Sequence, residues 1–331
     1  MTTSPPSGRT ATYKPELFLF AFAAVVVTGL LLFAGGFTTS IGAGMAFLDW
    51  PLSNGSVNPE GWMDDPAMRA EHSHRLLGAT TGLITIGIAV WLWRRESRAW
   101  LRQLGWVAVG LVVFQGVLGG LRVLLDSMHV GMVDTSAGRL FAMAHATLAQ
   151  AFLCMLVAIA AGCSRSWING VGPADAPVPT SARRWAVAAV ALLFVQLMIA
   201  AVMRHSHAGL AIPWFPTGPT GALLPAEWDF RVAIHFAHRA MALVLFVALA
   251  GLALKVWRDA DSTVLMRRIA GWIIGLVSLQ IMLGAAVLSS FRHPHVTTWH
   301  VLVGAATLAL TALLAFFLFR DRIEGGETQT R

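Results

Sequence analysis

Residues 71–95 read EHSHRLLGATTGLITIGIAVWLWRR. From Leu76 to Trp93 no side chain carries a charge; Arg94 and Arg95 close the run, and Glu71, His72, His74 and Arg75 crowd its start. At ~1.5 Å per helical residue such a run crosses most of the ~30 Å hydrocarbon layer of a bilayer. Polar groups packed against its beginning call for a special reason.

Outward from this stretch, similar uncharged apolar runs lie at about 17–36, 103–121, 140–163, 185–203, 269–291 and 296–319. An eighth, 240–254, reaches a workable span if its helix begins near Val232 and takes Arg239 inside, as a cofactor or polar cavity permits. The predicted fold is therefore all-α and integral to the membrane, with eight transmembrane helices. Composition agrees: 56% of the 331 residues are hydrophobic and 12% charged, against ~25% charged in soluble domains. Mean hydropathy is +0.66. The N-terminal apolar run is longer than a signal-peptide core and lacks a convincing cleavage site, so it reads as a retained first helix.

The net charge of +7 does not indicate nucleic acid, because the arginines stand between apolar runs rather than in an exposed basic patch. Their distribution is topogenic. If the N-terminus is cytoplasmic, Arg9, Lys14, Arg94, Arg95, Arg98, Arg102, Arg165, Arg183, Arg184, Lys255, Arg258, Arg267, Arg268, Arg320, Arg322 and Arg331 share its side, sixteen of the twenty-four basic residues. The positive-inside bias thus predicts a cell or inner membrane protein with both termini cytoplasmic. Cys154 and Cys163, nine residues apart on one helix and so ~13 Å from each other, read as packing residues rather than a disulfide.

The Gly- and Pro-containing segment 164–184 reads as a flexible cytoplasmic linker between two related halves, 1–163 and 185–331. Gly44 matches Gly209 and Gln115 matches Gln280 at an offset of 165, while His74-Arg75 matches His238-Arg239 at 164. His145 matches His300 at 155, after a shorter loop in the second half. A duplication explains all four, and predicts two pseudo-symmetric four-helix bundles.

The matched histidines fall near the outward ends of the second, fourth, sixth and eighth helices. Even-numbered helices run in one direction, so His74 can face His145 across one bundle, and His238 can face His300 across the other. A zinc or copper site wants a fuller donor set; two opposed imidazoles flanking an apolar groove suit haem iron. Arg75 and Arg239, each following a ligand candidate, are placed to meet haem carboxylates. Glu71 precedes His74 by three residues and so shares its helix face, where the second half has His235. That carboxylate could serve chemistry at whatever His74 holds, or simply sit well near a helix N-terminus. His72, His129, His205, His207, His293 and His295 lack matched partners and read as solvated or interfacial. The Gly-, Pro- and Trp-rich loops 37–71 and 204–233 read as lids over the two sites or as ordinary interfacial loops.

The chain resembles the haem A synthase family in EHSHRLLG on the second helix, AHATLAQ on the fourth, HFAHR on the sixth, TWHVLVG on the eighth and GAGMAFLDWPLSNGS after the first. The resemblance covers about 17–319. It implies an eight-helix enzyme that oxidises the C8 methyl of haem O to the formyl of haem A for terminal oxidases. By the same resemblance Glu71 is catalytic, His74 and His145 bracket the substrate haem O, and His238 and His300 ligate a haem b cofactor. A haem O supplying enzyme, an electron donor and membrane lipid are the implied partners, with oligomerisation left open. Some members carry a cysteine pair in the first outer loop; this chain has none between Gly36 and Glu71. The competing expectation is a di-haem b membrane electron carrier.

Overall fold

A computed structural model describes residues 12–131, 135–170, 180–218 and 221–325. Its long helices are α1 (Pro15–Ser40), α2 (Pro66–Arg95), α3 (Ala99–Leu124), α4 (Ala137–Cys163), α6 (Thr180–His205), α7 (Phe230–Arg258), α8 (Val264–Ser289) and α9 (Pro294–Leu318), with short α5 (Arg165–Ile168) and α10 (Arg320–Gly325). Among the described residues eight helices are long and apolar enough to cross a membrane, so the chain is a multi-pass membrane protein. A two-stranded hairpin, His129–Val130 with Thr135–Ser136, joins α3 to α4.

The helices outrun the apolar runs where a polar cap closes them. The Asp65 carboxylate accepts from Met68 N and Pro66 opens the first turn, so α2 begins ten residues before its uncharged stretch. Asp229 does the same for Val232 N at the start of α7, which places Arg239 within the helix as expected. Beyond those first turns, Glu71 and Arg75 on α2 and His235 and Arg239 on α7 are met by a loop that folds back over each helix, as described below.

Within the first half α1 packs on α2, α2 on α3, α3 on α4 and α4 on α1; in the second, α6, α7, α8 and α9 close the same ring. The halves meet through α1 on α9, α4 on α9 and α4 on α6. Accordingly half of the apolar window of α4 and of α9 is buried, against 17–28% for the other six spans, whose free faces are left to lipid.

Fully buried apolar side chains concentrate toward the terminal face, opposite the long loops. Leu17, Ile88, Leu92, Leu101, Leu156 and Ile159 form that core in the first half, and Leu249, Leu252, Ile273 and Leu314 in the second. The segment expected to be a linker is packed at its start: Trp167 on α5 is completely buried and stacks on Phe316 at 4.2 Å. Residues 171–179 of that segment lie outside the described residues.

Trp167 Nε1 donates to Glu324 Oε1 at 2.5 Å, and Arg98 links that carboxylate to Glu96, pairing with Glu96 Oε2 at 3.0 Å. Burial opposes ionisation of Glu96, but the Arg98 guanidinium overcomes it and holds the carboxyl below the usual carboxylate range. A lowered folded value means that stability from this contact is full above the ordinary carboxylate range and fades as acid takes the pH down through the lowered value. Glu96→Gln should therefore cost about 1–3 kcal/mol at neutral pH. In detergent melts repeated at progressively lower pH, the gap between variant and parent should narrow.

Candidate functional site

The other end of each bundle is built differently. His74, His145 and His238 are each the ninth residue of their helices, and His300 is the seventh of α9, so all four lie at a similar depth on the loop face. The His74 and His145 ring centroids are 6.4 Å apart, and those of His238 and His300 are also 6.4 Å apart. Two imidazoles that would share one metal at ~2 Å each, with each nitrogen ~1.2 Å from its ring centre, would stand ~6.4 Å apart. The donor set therefore fits haem iron in both halves, with the porphyrin supplying the remaining ligands. Among the described residues no three His, Cys, Asp or Glu side chains converge on a point where they could hold a bare ion.

Small residues make room for the rings. A Cβ on Gly119 would stand 3.5 Å from His145 Cε1, and one on Gly284, its match at offset 165, 3.4 Å from His300 Cε1. A Cβ on Gly35 would stand 2.6 Å from His74 Cε1, a distance that the ring cannot accommodate without moving.

Behind the rings, His145 Nδ1 lies 3.1 Å from the Gln115 carbonyl, an arrangement that fixes the ring and leaves Nε2 for a metal. His238 Nδ1 is 3.1 Å from Gln196 Nε2. The Nδ1 atoms of His74 and His300 are buried with no hydrogen-bond partner. Gln196 carried no signal in the sequence, because its match in the first half is Leu31.

The loops that cover the sites are held by the same device twice. Phe47 N donates to Glu71 Oε2 at 3.1 Å, and Ile212 N, at offset 165, donates to His235 Nδ1 at 3.2 Å. Arg75 donates to the carbonyls of Phe47 (3.3 Å) and Asp49 (2.8 Å); Arg239 donates to those of Ile212 (2.6 Å) and Trp214 (2.8 Å). Each loop also has a cis X-Pro bond at matched places, Trp50–Pro51 and Phe215–Pro216. Both arginines, expected beside haem carboxylates, thus turn their guanidinium groups to the loop. The halves differ in charge: Arg75 forms an ion pair with Glu71 at 2.6 Å, both side chains largely buried. Arg239 faces an imidazole that accepts through Nδ1 and so is uncharged.

Three further side chains escaped sequence reading. His72, expected to be solvated or interfacial, is buried on α2, 3.0 Å from Ser53 Oγ and against Trp62. Its partners come from a loop ten to nineteen residues back, which periodicity cannot show. Arg122, one turn beyond Gly119 on α3, donates to the Gly44 carbonyl. A Cβ on Gly44 would lie 2.7 Å from its Nη2, which explains that loop glycine. Arg204 donates to Gly36 O (2.8 Å) and Ser40 Oγ (2.9 Å), tying α6 to the end of α1 at the seam. His293 and His295 stack at 5.7 Å, and His295 lies against Phe37, so they pack where α9 meets α1 rather than join either pair. Cys154 and Cys163 are free thiols, as expected.

A family model described as cytochrome oxidase assembly protein matches residues 64–313. Similar curated proteins are called heme A synthase. That of Symbiobacterium thermophilum is 29% identical over 317 residues, covering 88% of this chain and 98% of the relative. Those of Methylobacterium sp. strain 4-46 and Bacillus licheniformis are each 28% identical, covering 87% and 78% of this chain and 88% and 82% of their own. The matched span includes both pairs of opposed histidines and the loop latch of the second half, and the chain belongs to the cytochrome oxidase assembly protein family.

Proposed function

We propose that this chain is a haem A synthase that oxidises the C8 methyl of haem O to a formyl group, holding haem O between His74 and His145 and haem b between His238 and His300. The observation that carries the reading is the pair of 6.4 Å imidazole clefts at one depth, of which, among the described residues, the first has a buried carboxylate, Glu71, one helical turn before its α2 histidine. Haem b, when bound, supplies a one-electron couple close to the reacting half.

Conversion of a methyl to a formyl group removes four electrons from that carbon and adds one oxygen atom, so protons must leave the site repeatedly. Glu71 is placed to take them. Its carboxylate stands one helical turn from His74 and is held by Arg75 and Phe47 N, which orient it in a low-dielectric setting. Arg75 and Arg239 fasten the loops that shield each cleft from water. We place this face outside a cell or inner membrane, with both termini cytoplasmic, following the arginine bias. A haem O supplying enzyme and an acceptor for the four electrons are the partners this chemistry needs.

Pigment analysis of the purified protein tests the assignment. Haem b should be present throughout, and haem A should appear when haem O is supplied with an electron acceptor. Haem b alone, at two equivalents per chain and with no conversion, would instead identify a di-haem electron carrier. That alternative is disfavoured because all four histidines lie toward one face.

A further inference from the structure

The terminal face, opposite the histidine clefts, holds two cavities that the repeat relates. One, of about 260 Å³, opens at the end of α2 between Gly87, Val90, Trp91, Arg94 and Arg95. The other, of about 320 Å³, opens at the end of α7 between Leu254, Lys255, Arg258 and Asp259, with Ser181 of α6. Val90 and Arg94 correspond to Leu254 and Arg258 at the offset of 164 that also relates His74 to His238. Beside each cavity a ring of the preceding helix is set against a glycine. A Cβ on Gly87 would stand 3.2 Å from Phe20 Cζ, and one on Gly251, its match, would collide with the indole of Trp185, the match of Phe20.

Each cavity has two basic side chains, Arg94 with Arg95 and Lys255 with Arg258. Lys255 Nζ stands over the Trp185 ring, 5.3 Å from its centroid. Lys14 donates to the Arg95 carbonyl and so brings a third cation to the first cavity. Among the described residues no carboxylate pairs with Arg94, Arg95, Lys255 or Arg258. Asp259 enters the second cavity, but its oxygens accept from Asp261 N and Ser262 Oγ, each at 3.2 Å. From each cavity a stripe runs into the span along one helix face: Leu83, Gly87, Val90 and Arg94 on α2, and Val247, Gly251, Leu254 and Arg258 on α7. Leu83 and Val247, at the deep ends of these stripes, are 71% and 60% exposed.

We propose that each cavity seats the phosphate of an anionic phospholipid, with an acyl chain lying along the stripe. A phosphate supplies the acceptor that these basic groups lack, and their long side chains reach from the helix end to headgroup level. A soluble phosphate would use the cations and leave the stripe bare; a lipid uses both. The arginine bias turns this face to the cytoplasm, where anionic lipid gives the leaflet a negative surface. The first cavity, with Lys14 beside it and no acid inside, holds its lipid more tightly than the second.

The test uses delipidated full-length protein in neutral detergent, so neither membrane orientation nor haem content enters the readout. Native mass spectrometry with dioleoyl phosphatidylglycerol should show two retained lipids per chain, and with dioleoyl phosphatidylcholine none. Each basic side chain near the surface is worth about fivefold in affinity. Arg94→Gln with Arg95→Gln should therefore weaken the tighter lipid by about 25-fold, and Lys255→Gln with Arg258→Gln should do the same to the other. Arg94→Lys with Arg95→Lys keeps the charge and should retain most of the binding. Where a Gln pair does not accumulate, Arg94→Gln or Arg258→Gln alone should cost about fivefold. Equal retention of the two lipids, or unchanged phosphatidylglycerol binding in the Gln variants, would overturn the proposal. Displacement of the lipid by millimolar inorganic phosphate would overturn it as well, by showing sites for a free anion.

Discussion

Glu71→His should abolish formation of the formyl product while leaving both haems bound and the first loop closed. The second half supplies the control for this substitution, because His235 already holds Ile212 N where Glu71 holds Phe47 N. An imidazole at position 71 can therefore keep the loop amide satisfied, and Arg75 keeps its carbonyl partners on Phe47, Asp49 and Leu52. What disappears is the carboxylate, and with it a proton acceptor one helical turn from His74. A positioned acid or base contributes typically 10²–10⁴-fold, so haem A formed per haem b, measured by pigment extraction after haem O is supplied, should fall by that factor. Glu71→Gln removes the charge but retains an oxygen for Phe47 N, and should be equally inactive. Near-normal conversion in both variants, with loss only in Glu71→Ala, would make Glu71 a loop latch and nothing more.

The observed latch and the proposed proton acceptor meet in one side chain, and this bears on what sequence alone can disclose. The eight spans were legible because an uncharged run of about twenty residues has few alternatives, and the short run 240–254 of the sixth span became readable once its helix was begun near Val232 with Arg239 inside. The four histidines were legible because duplication preserved their depth while loops around them diverged. The loop latch was not. Glu71 and His235 are chemically unlike and share no pattern; only the fold shows that each receives an amide from a residue twenty-three or twenty-four positions back. Arg75 and Arg239 were visible as matched cations, yet their partners are backbone carbonyls, which every residue has and no sequence marks. Burial of His72 follows from the same fold-back of the loop and was invisible for the same reason.

The latch also predicts that the halves respond unequally to the same change. Arg75→Leu should destabilise the protein by about 3–5 kcal/mol, because it strands the Glu71 carboxylate, 4% exposed, without its counterion. Arg239→Leu removes two hydrogen bonds to the carbonyls of Ile212 and Trp214 but leaves only a neutral imidazole behind, so a loss of about 1.5–3 kcal/mol is expected. Denaturation of both variants in one detergent, followed by haem absorbance and by helix content, checks the order. A second substitution separates charge from shape: in the background of Glu71→His, Arg75→Leu should cost less than it does in the parent, since the first half then loses carbonyl hydrogen bonds but strands no carboxylate. Equal losses for Arg75→Leu and Arg239→Leu in the parent chain would mean that Glu71 is not held as a buried ion, and would remove the electrostatic basis for its role as proton acceptor.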